Sequence, residues 1–326
     1  MPSKKSSELI PIKSDVLSNS KTKILVITSS IDLTVSYIME KYPDIDFFRL
    51  NVDEFPIYEI AINGNGLGWE IKNKKSEQKI TLYETKSIYY RKPMLPDVSE
   101  YEECYQDMIS KDIIGVVIGI ADSFEGMVLS PPSLLKKAEN KTNQLLYAFK
   151  NGIKMPFSFI GNSNKKKEIF YNFKSIIKPL SIGKISNGDY YEIFHTSIVK
   201  ENECDISLTP IYLQQYIKKN YEVRLTVVND NFFAVRIDSP DKVDWRKNYN
   251  LLKYSLIKVP PTIKEKCKMM LFHYGLKFGA FDFIVDSNDD WIFLEVNPNG
   301  QWLWLEKELN LNISEKIIHL LNKEVV

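Results

Sequence analysis

The segment GAFDFIVDSNDDWIFLEVNPNG, residues 279–300, constrains the fold more than any other stretch of this chain. Two apolar runs of strand composition flank the polar turn Ser287–Asp290, the pattern of a β-hairpin. Centring the turn between Asn288 and Asp289 sets Asp282 opposite Glu295, Phe281 opposite Val296 and Phe283 opposite Leu294. The two-residue period then brings Asn297 onto the face of Glu295. One face of the ribbon is apolar and anchors it; the other carries two carboxylates and an amide at one end. Like charges directly across a ladder repel, and a buried unpaired carboxylate costs several kcal/mol or protonates. A hard divalent cation removes the conflict, because Mg²⁺ accepts one or two carboxylates together with phosphate oxygens and water. A surface hairpin whose polar face meets water is the alternative. The tail NPNGQW favours the cation, since Pro298 and Gly300 end the strand where a ligand would enter.

Composition narrows the function classes. The 326 residues carry a formal charge of +1, whereas a nucleic-acid or anionic-membrane partner usually demands a basic surplus. No nucleic-acid and no membrane partner is therefore expected. At 44% hydrophobic residues the chain can bury a proper core, yet no run of eighteen apolar residues offers a membrane span. Cys104, Cys204 and Cys267 are scattered, as are His195, His273 and His319, so free thiols in a reducing compartment are expected rather than disulfides or zinc. The Lys/Ser-rich start lacks the apolar core of a signal peptide, and a cytoplasmic protein with a loose tail is expected.

Along the chain, KILVITSS reads as a buried strand leading into the helical IDLTVSYIMEKY; DFFRLN and SIYYRKP read as further strands, with a meander between them. This β-α-β opening predicts an open α/β first domain. Helical spacing returns over about 100–120. After Pro131–Pro132 a helix runs through Leu145 to Phe149, with Gly152 as its cap. Strand patterns then dominate until a helical end from about Gln301.

With the hairpin go YYRKP, ENKTNQLLYAFKNGIKMP, IIKPLS, LQQYIKKNYEVRLTVV and RIDSPDKVDWR, in that order. This ordered set, covering roughly residues 88–306, resembles the ATP-grasp superfamily, and within it the microviridin-type (graspetide) ribosomal-peptide maturases. The resemblance implies an α/β (α+β) ATP-grasp fold: a flexible tail (1–22), an N-terminal open α/β domain (23–128), a central lid domain (129–206) and a C-terminal antiparallel-sheet domain with the metal site (207–326). It implies ATP and Mg²⁺, two ions, as cofactors, with Asp282, Glu295 and Asn297 as metal ligands.

The resemblance also implies nucleotide contacts. Lys178 lies within an apolar strand and must snorkel or find an anion; the family places such a lysine on the phosphates, and a water-facing edge lysine is the alternative. Lys141 opens a helix, where a cation is unfavourable unless a phosphate is shared; a solvated first-turn lysine is the alternative. Gly183 belongs to a loop expected as a flap over the phosphates. Gln215, Tyr216 and Ile217 would meet adenine through backbone groups, and Glu222 the ribose or a lysine. Arg224 and Arg246 are the candidate catalytic arginines, with surface ion pairs as the alternative. Trp302 and Trp304 are expected in the core. Arg91 faces either an acceptor peptide or a structural salt bridge. DYYEIFHTSIV, with Tyr191 and Phe194, offers an edge or groove for a leader segment.

The function implied is an ADP-forming ligase acting on a ribosomal precursor peptide, joining Asp/Glu side-chain carboxylates to Ser/Thr hydroxyls or Lys amines through an acyl phosphate. A ligase adding free amino acids to a carboxylate and a non-catalytic nucleotide- or peptide-binding scaffold are the alternatives. Relatives suggest a homodimer.

Overall fold

The computed structural model describes residues 22–63, 68–180, 184–187, 190–193, 196–198, 208–241 and 251–323. The N-terminal part contains β1 (Lys23–Thr28), α1 (Leu33–Lys41), β2 (Phe47–Asn51), β3 (Tyr58–Asn63), β4 (Gly68–Asn73), β5 (Lys79–Thr81), β6 (Thr85–Tyr90), α2 (Glu103–Asp122) and β7 (Met127–Leu129). β1, β2, β6 and β7 form a parallel sheet in the order β2-β1-β6-β7, and β3-β4-β5 form the antiparallel meander. β1 is apolar almost throughout because helices and other elements cover both its faces, as parallel strands require. Asp32 starts α1 by accepting from the amides of Thr34 and Val35, the usual service of an N-cap carboxylate.

α3 (Pro132–Glu139) and α4 (Lys141–Lys150) follow, separated only by Asn140, which caps α4 through the amide of Asn143. Gly152 then takes a φ of +61° beyond the helix end. The next strands are β8 (Ser158–Gly161), β9 (Ser175–Lys178), β10 (Lys184–Asn187), β11 (Tyr190–Ile193), β12 (Ser197–Ile198) and β13 (Ile211–Gln215), with the single-turn helix α5 at Asn164–Lys167. They make a four-stranded sheet, β12-β9-β13-β8, and a separate two-stranded β10-β11 hairpin.

The C-terminal part holds β14 (Tyr221–Val228), β15 (Asn231–Asp238), β16 (Lys253–Leu256), α6 (Pro261–Tyr274), β17 (Phe278–Val285), β18 (Trp291–Asn297), α7 (Leu303–Leu309) and α8 (Ile313–Asn322). Its antiparallel sheet runs β16-β15-β14-β17-β18. The expected mixed α/β class, an open parallel sheet followed by antiparallel sheets, is observed. α8 buries Ile313, Ile317 and Leu321 in one cluster with Ile24, Val26 and Leu129 of the first sheet and Val228 and Val235 of the last. The final helix thus ties the ends of the chain into a shared core. Trp302 sits in that cluster with no exposed surface, as expected; Trp304, partly buried, packs against the same cluster and also borders a cavity.

The hairpin register is right at one end and shifted at the other. Ala280, Phe281 and Asp282 face Asn297, Val296 and Glu295 as expected, but Phe283 pairs with Phe293, not Leu294. Leu294 is the extra residue of a bulge. The cause is the turn: Val285 pairs with Trp291, so five residues connect the strands rather than four, with Asp289 at a φ of +59°. Asp286 organises it by accepting from the amides of Asn288 and Asp290. The bulge restores the face alternation that the odd loop would have inverted.

Candidate active site

β14 is the middle strand of its sheet, and its residues of one parity, Glu222, Arg224 and Thr226, put polar groups on the face opposite the apolar core. All three are buried, so this is not a solvated face. Arg224 lies directly across from Asp282, and Asp282 directly across from Glu295. Three adjacent strands therefore present cation, anion and anion in one row. Arg224 Nη1 donates to Asp282 Oδ1 at 2.8 Å. Arg224 Nη2 reaches the carbonyl of Gln301 at 3.4 Å, while Nε is buried with no hydrogen-bond partner among the described residues. The surface-pair alternative for Arg224 is thereby ruled out, and an orphaned N–H on a buried guanidinium suits an anion not made by the protein.

Asn297 closes the row. Its amide nitrogen is 3.4 Å from Asp282 Oδ2 and 3.5 Å from Glu295 Oε1, both long contacts. A half-turn of that amide offers its oxygen instead, since O and N exchange places with little change in shape. The set Asp282, Glu295 and Asn297 then supplies three hard oxygen donors at the end of one hairpin. Among the described residues no three His, Cys, Asp or Glu side chains converge as a metal site. Two carboxylates with an amide match Mg²⁺ shared with phosphate, which leaves coordination positions to the nucleotide and water.

Lys141 joins this cluster from α4. Its ammonium donates to the carbonyl of Pro179 at 2.8 Å and lies 3.6 Å from Glu295 Oε2, so it is drawn to the end of β9 and the acidic row rather than left in water. α4 is held in place by Gln144, a residue that sequence reasoning did not single out. Its side chain donates to the carbonyl of Val296 at 2.8 Å and accepts from the amide of Val296 at 2.9 Å, between Glu295 and Asn297. A glutamine inside a helical pattern gives no signal of this; only the meeting of helix and strand does.

On the facing sheet, Lys178 ends β9 beside Pro179, with its ammonium 6.0 Å from the centre of the Tyr212 ring. Burial, reinforced by the charge of Glu295, pushes the Tyr212 phenol up to about 12 against the pull of its bond to Ser158, so the ring stays neutral. A recess of about 10 Å³ separates Tyr212 and Gln214 from Leu294 and Glu295. That is room for about one water, so a base between these side chains requires the two sheets to part. The amides of Gln215 and Tyr216 are bonded to the carbonyls of Phe157 and Lys174, each at 2.8 Å. Those two amides are thus already used within the protein, which leaves the carbonyls of this linker and Ile217 as the backbone groups a ligand could meet. Glu222 is paired with Lys219, the lysine option rather than the ribose one.

Arg91 takes the salt-bridge option, not the peptide-facing one. It has no exposed surface; its Nε lies 3.1 Å from Asp32 Oδ2 and its Nη2 donates to Thr34 and Gln301. A guanidinium closed off from solvent cannot meet an incoming peptide. Tyr191 lies on β11 opposite Ser186. Gly183, Phe194 and Arg246 fall outside the described residues, as does Cys204. Cys104 and Cys267 are free thiols.

Next to Arg224 and Asn297 opens a cavity of about 1030 Å³. Its walls come from Tyr90 and Lys92 after β6, Ile118 of α2, Glu139 at the end of α3, and the loop Pro298–Gln301. Gly300 has to be a glycine here, because a Cβ would sit 2.5 Å from the Ala280 Cβ and 3.2 Å from Arg224 Nη2. Arg224 and Asn297 of this row thus border the open chamber, while Glu295 borders the narrow recess between the sheets.

Residues 138–321 match the family model described as the RimK-like ATP-grasp domain. The chain belongs to the RimK-like ATP-grasp family. Membership makes it an ATP-grasp ligase, and every described site residue from Glu139 to Gln301 lies inside the matched span. The chain is similar, at 25% identity and a TM-score of 0.83, to a Chryseobacterium gregarium RiPP-associated ATP-grasp ligase solved with ADP and a leader and core peptide; the match covers 94% of this chain and 100% of that one. The macrocyclase MdnC of Microcystis aeruginosa MRC, bound to its precursor peptide MdnA, aligns at 25% identity and a TM-score of 0.82 over 91% of this chain and 98% of that one. Among curated proteins, the tetrahydromethanopterin:alpha-L-glutamate ligase of Methanocaldococcus jannaschii is 23% identical over 207 residues, 59% of this chain and 68% of that protein. Among the described residues of this ATP-grasp chain, no helix is long and apolar enough to cross a membrane.

Proposed function

We propose that the protein is an ATP-dependent macrocyclase of a ribosomally made precursor peptide, linking an Asp or Glu side chain to a Ser/Thr hydroxyl or a Lys amine. One observation carries this reading: the row of buried Arg224, buried Asp282 and half-buried Glu295 lies beside a chamber large enough for a peptide segment. The whole-length likeness to two ligases solved with peptides supports it.

ATP is the co-substrate. Lys141 and Lys178, at facing ends of α4 and β9, hold its phosphates, and Asp282, Glu295 and Asn297 hold Mg²⁺. Bound there, Mg²⁺ would neutralise phosphate charge and orient the terminal phosphoryl group. A carboxylate oxygen of the peptide attacks the γ-phosphorus and ADP leaves. Arg224, already fixed by Asp282, needs no reorganisation to meet the charge that develops. The hydroxyl or amine then attacks the acyl carbon and phosphate leaves. No enzyme nucleophile is needed, and holding both groups on one bound peptide makes closure intramolecular. Arg246 is proposed as a second charge-stabilising group and Gly183 as part of the flap over the phosphates. The leader is assigned to the β10-β11 hairpin, whose strands pair with each other and with no third strand among the described residues, so that an edge is available for addition.

The test is to incubate the protein with ATP, Mg²⁺ and short peptides rich in Asp/Glu and Ser/Thr/Lys taken from open reading frames beside its gene. Loss of one water per link, with one ADP per link, is the expected result. A mass gain equal to a free amino acid would favour the amino-acid-adding ligase, and no ATP turnover the scaffold.

A further inference from the structure

Four charged side chains on the chamber wall, Lys92, Lys136, Glu139 and Glu308, take no part in the machinery described so far, and of these Lys92 and Glu139 act on each other's charge. Lys92 follows Arg91 in a left-handed backbone conformation, φ +45°, and Glu139 ends α3 two residues before Lys141. Both line the cavity and both are reached by solvent. Neither forms a hydrogen bond or ion pair among the described residues, although each feels the other's charge. Opposite charges that share a chamber and yet stand apart leave a gap between them that a polar ligand can fill.

Resting on the macrocyclase reading, we infer that Lys92 and Glu139 form a two-charge receptor for the reacting pair of the peptide, Lys92 holding the donor carboxylate and Glu139 taking the proton of the acceptor hydroxyl or amine. A ring-forming segment presents one acid and one nucleophile, which is the complement of one cation and one anion. The order along the chain agrees. Glu139 and Lys141 flank the capping Asn140, Glu139 on the chamber wall and Lys141 on the side of Glu295. Lys92 adjoins Arg91, which is tied through Gln301 to Arg224.

The chemistry balances. The acceptor oxygen or nitrogen forms a bond to the acyl carbon, the acyl carbon–oxygen bond to phosphate breaks, phosphate leaves with the electron pair, and the acceptor's proton passes to Glu139. The surroundings suit that task. Burial raises the Glu139 carboxyl, opposed by Lys92, which brings it nearer the range of an effective base. Burial lowers the Lys92 ammonium, with Arg91 and Arg224 adding to the effect and Asp32 and Glu139 opposing it. Arg224, Lys136 of α3 and Glu308 of α7 are the other charged groups on the chamber wall, and Tyr90 and Tyr254 are its phenols.

The experiment separates the two half-reactions using the precursor peptide, with hydroxylamine to trap the acyl phosphate. For Glu139→Gln, ring closure should fall at least about 100-fold while hydroxamate still forms, and the rise of the closure rate with pH should flatten. For Lys92→Met, the peptide KM should rise about tenfold with the ATP KM unchanged, and Lys92→Arg should recover most of it. Closure by Glu139→Gln at the wild-type rate, or equal loss of hydroxamate and ring, overturns the base. An unchanged peptide KM in Lys92→Met overturns the carboxylate contact. If the wild-type protein gives neither hydroxamate nor ring, the macrocyclase reading itself fails and takes this inference with it. Neither side chain has a hydrogen-bond or ion-pair partner among the described residues, so the variants should keep the wild-type melting temperature.

Discussion

Arg91 and Gln301 are 210 residues apart in sequence, and their side chains meet at 2.5 Å. Arg91 closes the C-terminal end of the parallel sheet; Gln301 follows the β17–β18 hairpin and gives its carbonyl to Arg224. Thr34 touches both partners. The first domain therefore sets where the loop beyond Asn297 lies, and with it one contact of Arg224. Gln301→Leu should lower turnover several-fold and leave the ATP KM unchanged. Arg91→Met removes the cation beside the buried Asp32 carboxylate, leaving it only the Thr28 hydroxyl and the amides of Thr34 and Val35, and should cost about 3 kcal/mol of stability. Urea unfolding alongside steady-state kinetics checks both; equal kinetics in Gln301→Leu and wild type would break the link.

Gln144 should behave as a structural residue whose loss reaches the nucleotide. Gln144→Leu keeps the volume but leaves the buried N–H and C=O of Val296 unpaired, at about 1–3 kcal/mol for each group. Freed from β18, α4 carries Lys141 away from Glu295. The expected outcome is a lower urea midpoint with a raised ATP KM, whereas Lys141→Met should raise the KM at an unchanged midpoint.

Glu306 gives a pH prediction. It is buried in α7 and accepts from Lys41, Tyr37 and Ser314. Burial alone would raise its carboxyl, but the bonds from Lys41 and Ser314 outweigh that and hold it below the ordinary value of 4.5. A carboxyl depressed by folding adds stability that is present above its unfolded value and is lost as pH falls through its folded one. Wild type should therefore exceed Glu306→Gln in stability at neutral pH, with the gap closing as pH drops below about 4.5. Denaturant melts at several pH values measure the gap; a constant difference would contradict the assignment.

The hairpin shows how far sequence could carry the fold and the site. Alternation alone put Asp282 across from Glu295, because a two-residue period leaves only two faces to choose from. It misplaced Leu294, since nothing in SNDD announces a five-residue loop with Asp289 in a left-handed conformation. Lys141 was legible as a cation at a helix start that needs an anion, and Glu295 is there. Arg91, Gln144 and the Lys92–Glu139 pair were not legible as they stand, because their meaning comes from elements brought together across the fold. A local pattern cannot tell a buried bridge from a peptide contact when both use an arginine after a strand.

Asp282 and Glu295 are neighbours on one ladder, yet their loss should have different consequences. Asp282 carries the buried ion pair with Arg224, both side chains at most 10% exposed. Asp282→Ala leaves that guanidinium uncompensated and should destabilise the protein by about 3–5 kcal/mol as well as abolish turnover. The Glu295 side chain is 24% exposed and its cation, Lys141, is held independently by the carbonyl of Pro179. Glu295→Ala should thus stay within about 1 kcal/mol of wild type in stability, as a partly exposed pair allows, and still lose Mg²⁺-dependent turnover by 100-fold or more, as should Asn297→Ala. The two readouts divide scaffold from chemistry. Should Glu295→Ala and Asn297→Ala both turn over at the wild-type rate across a Mg²⁺ titration, the acidic row would be a structural ion-pair array, and the ligase centre would have to be sought elsewhere in the chain.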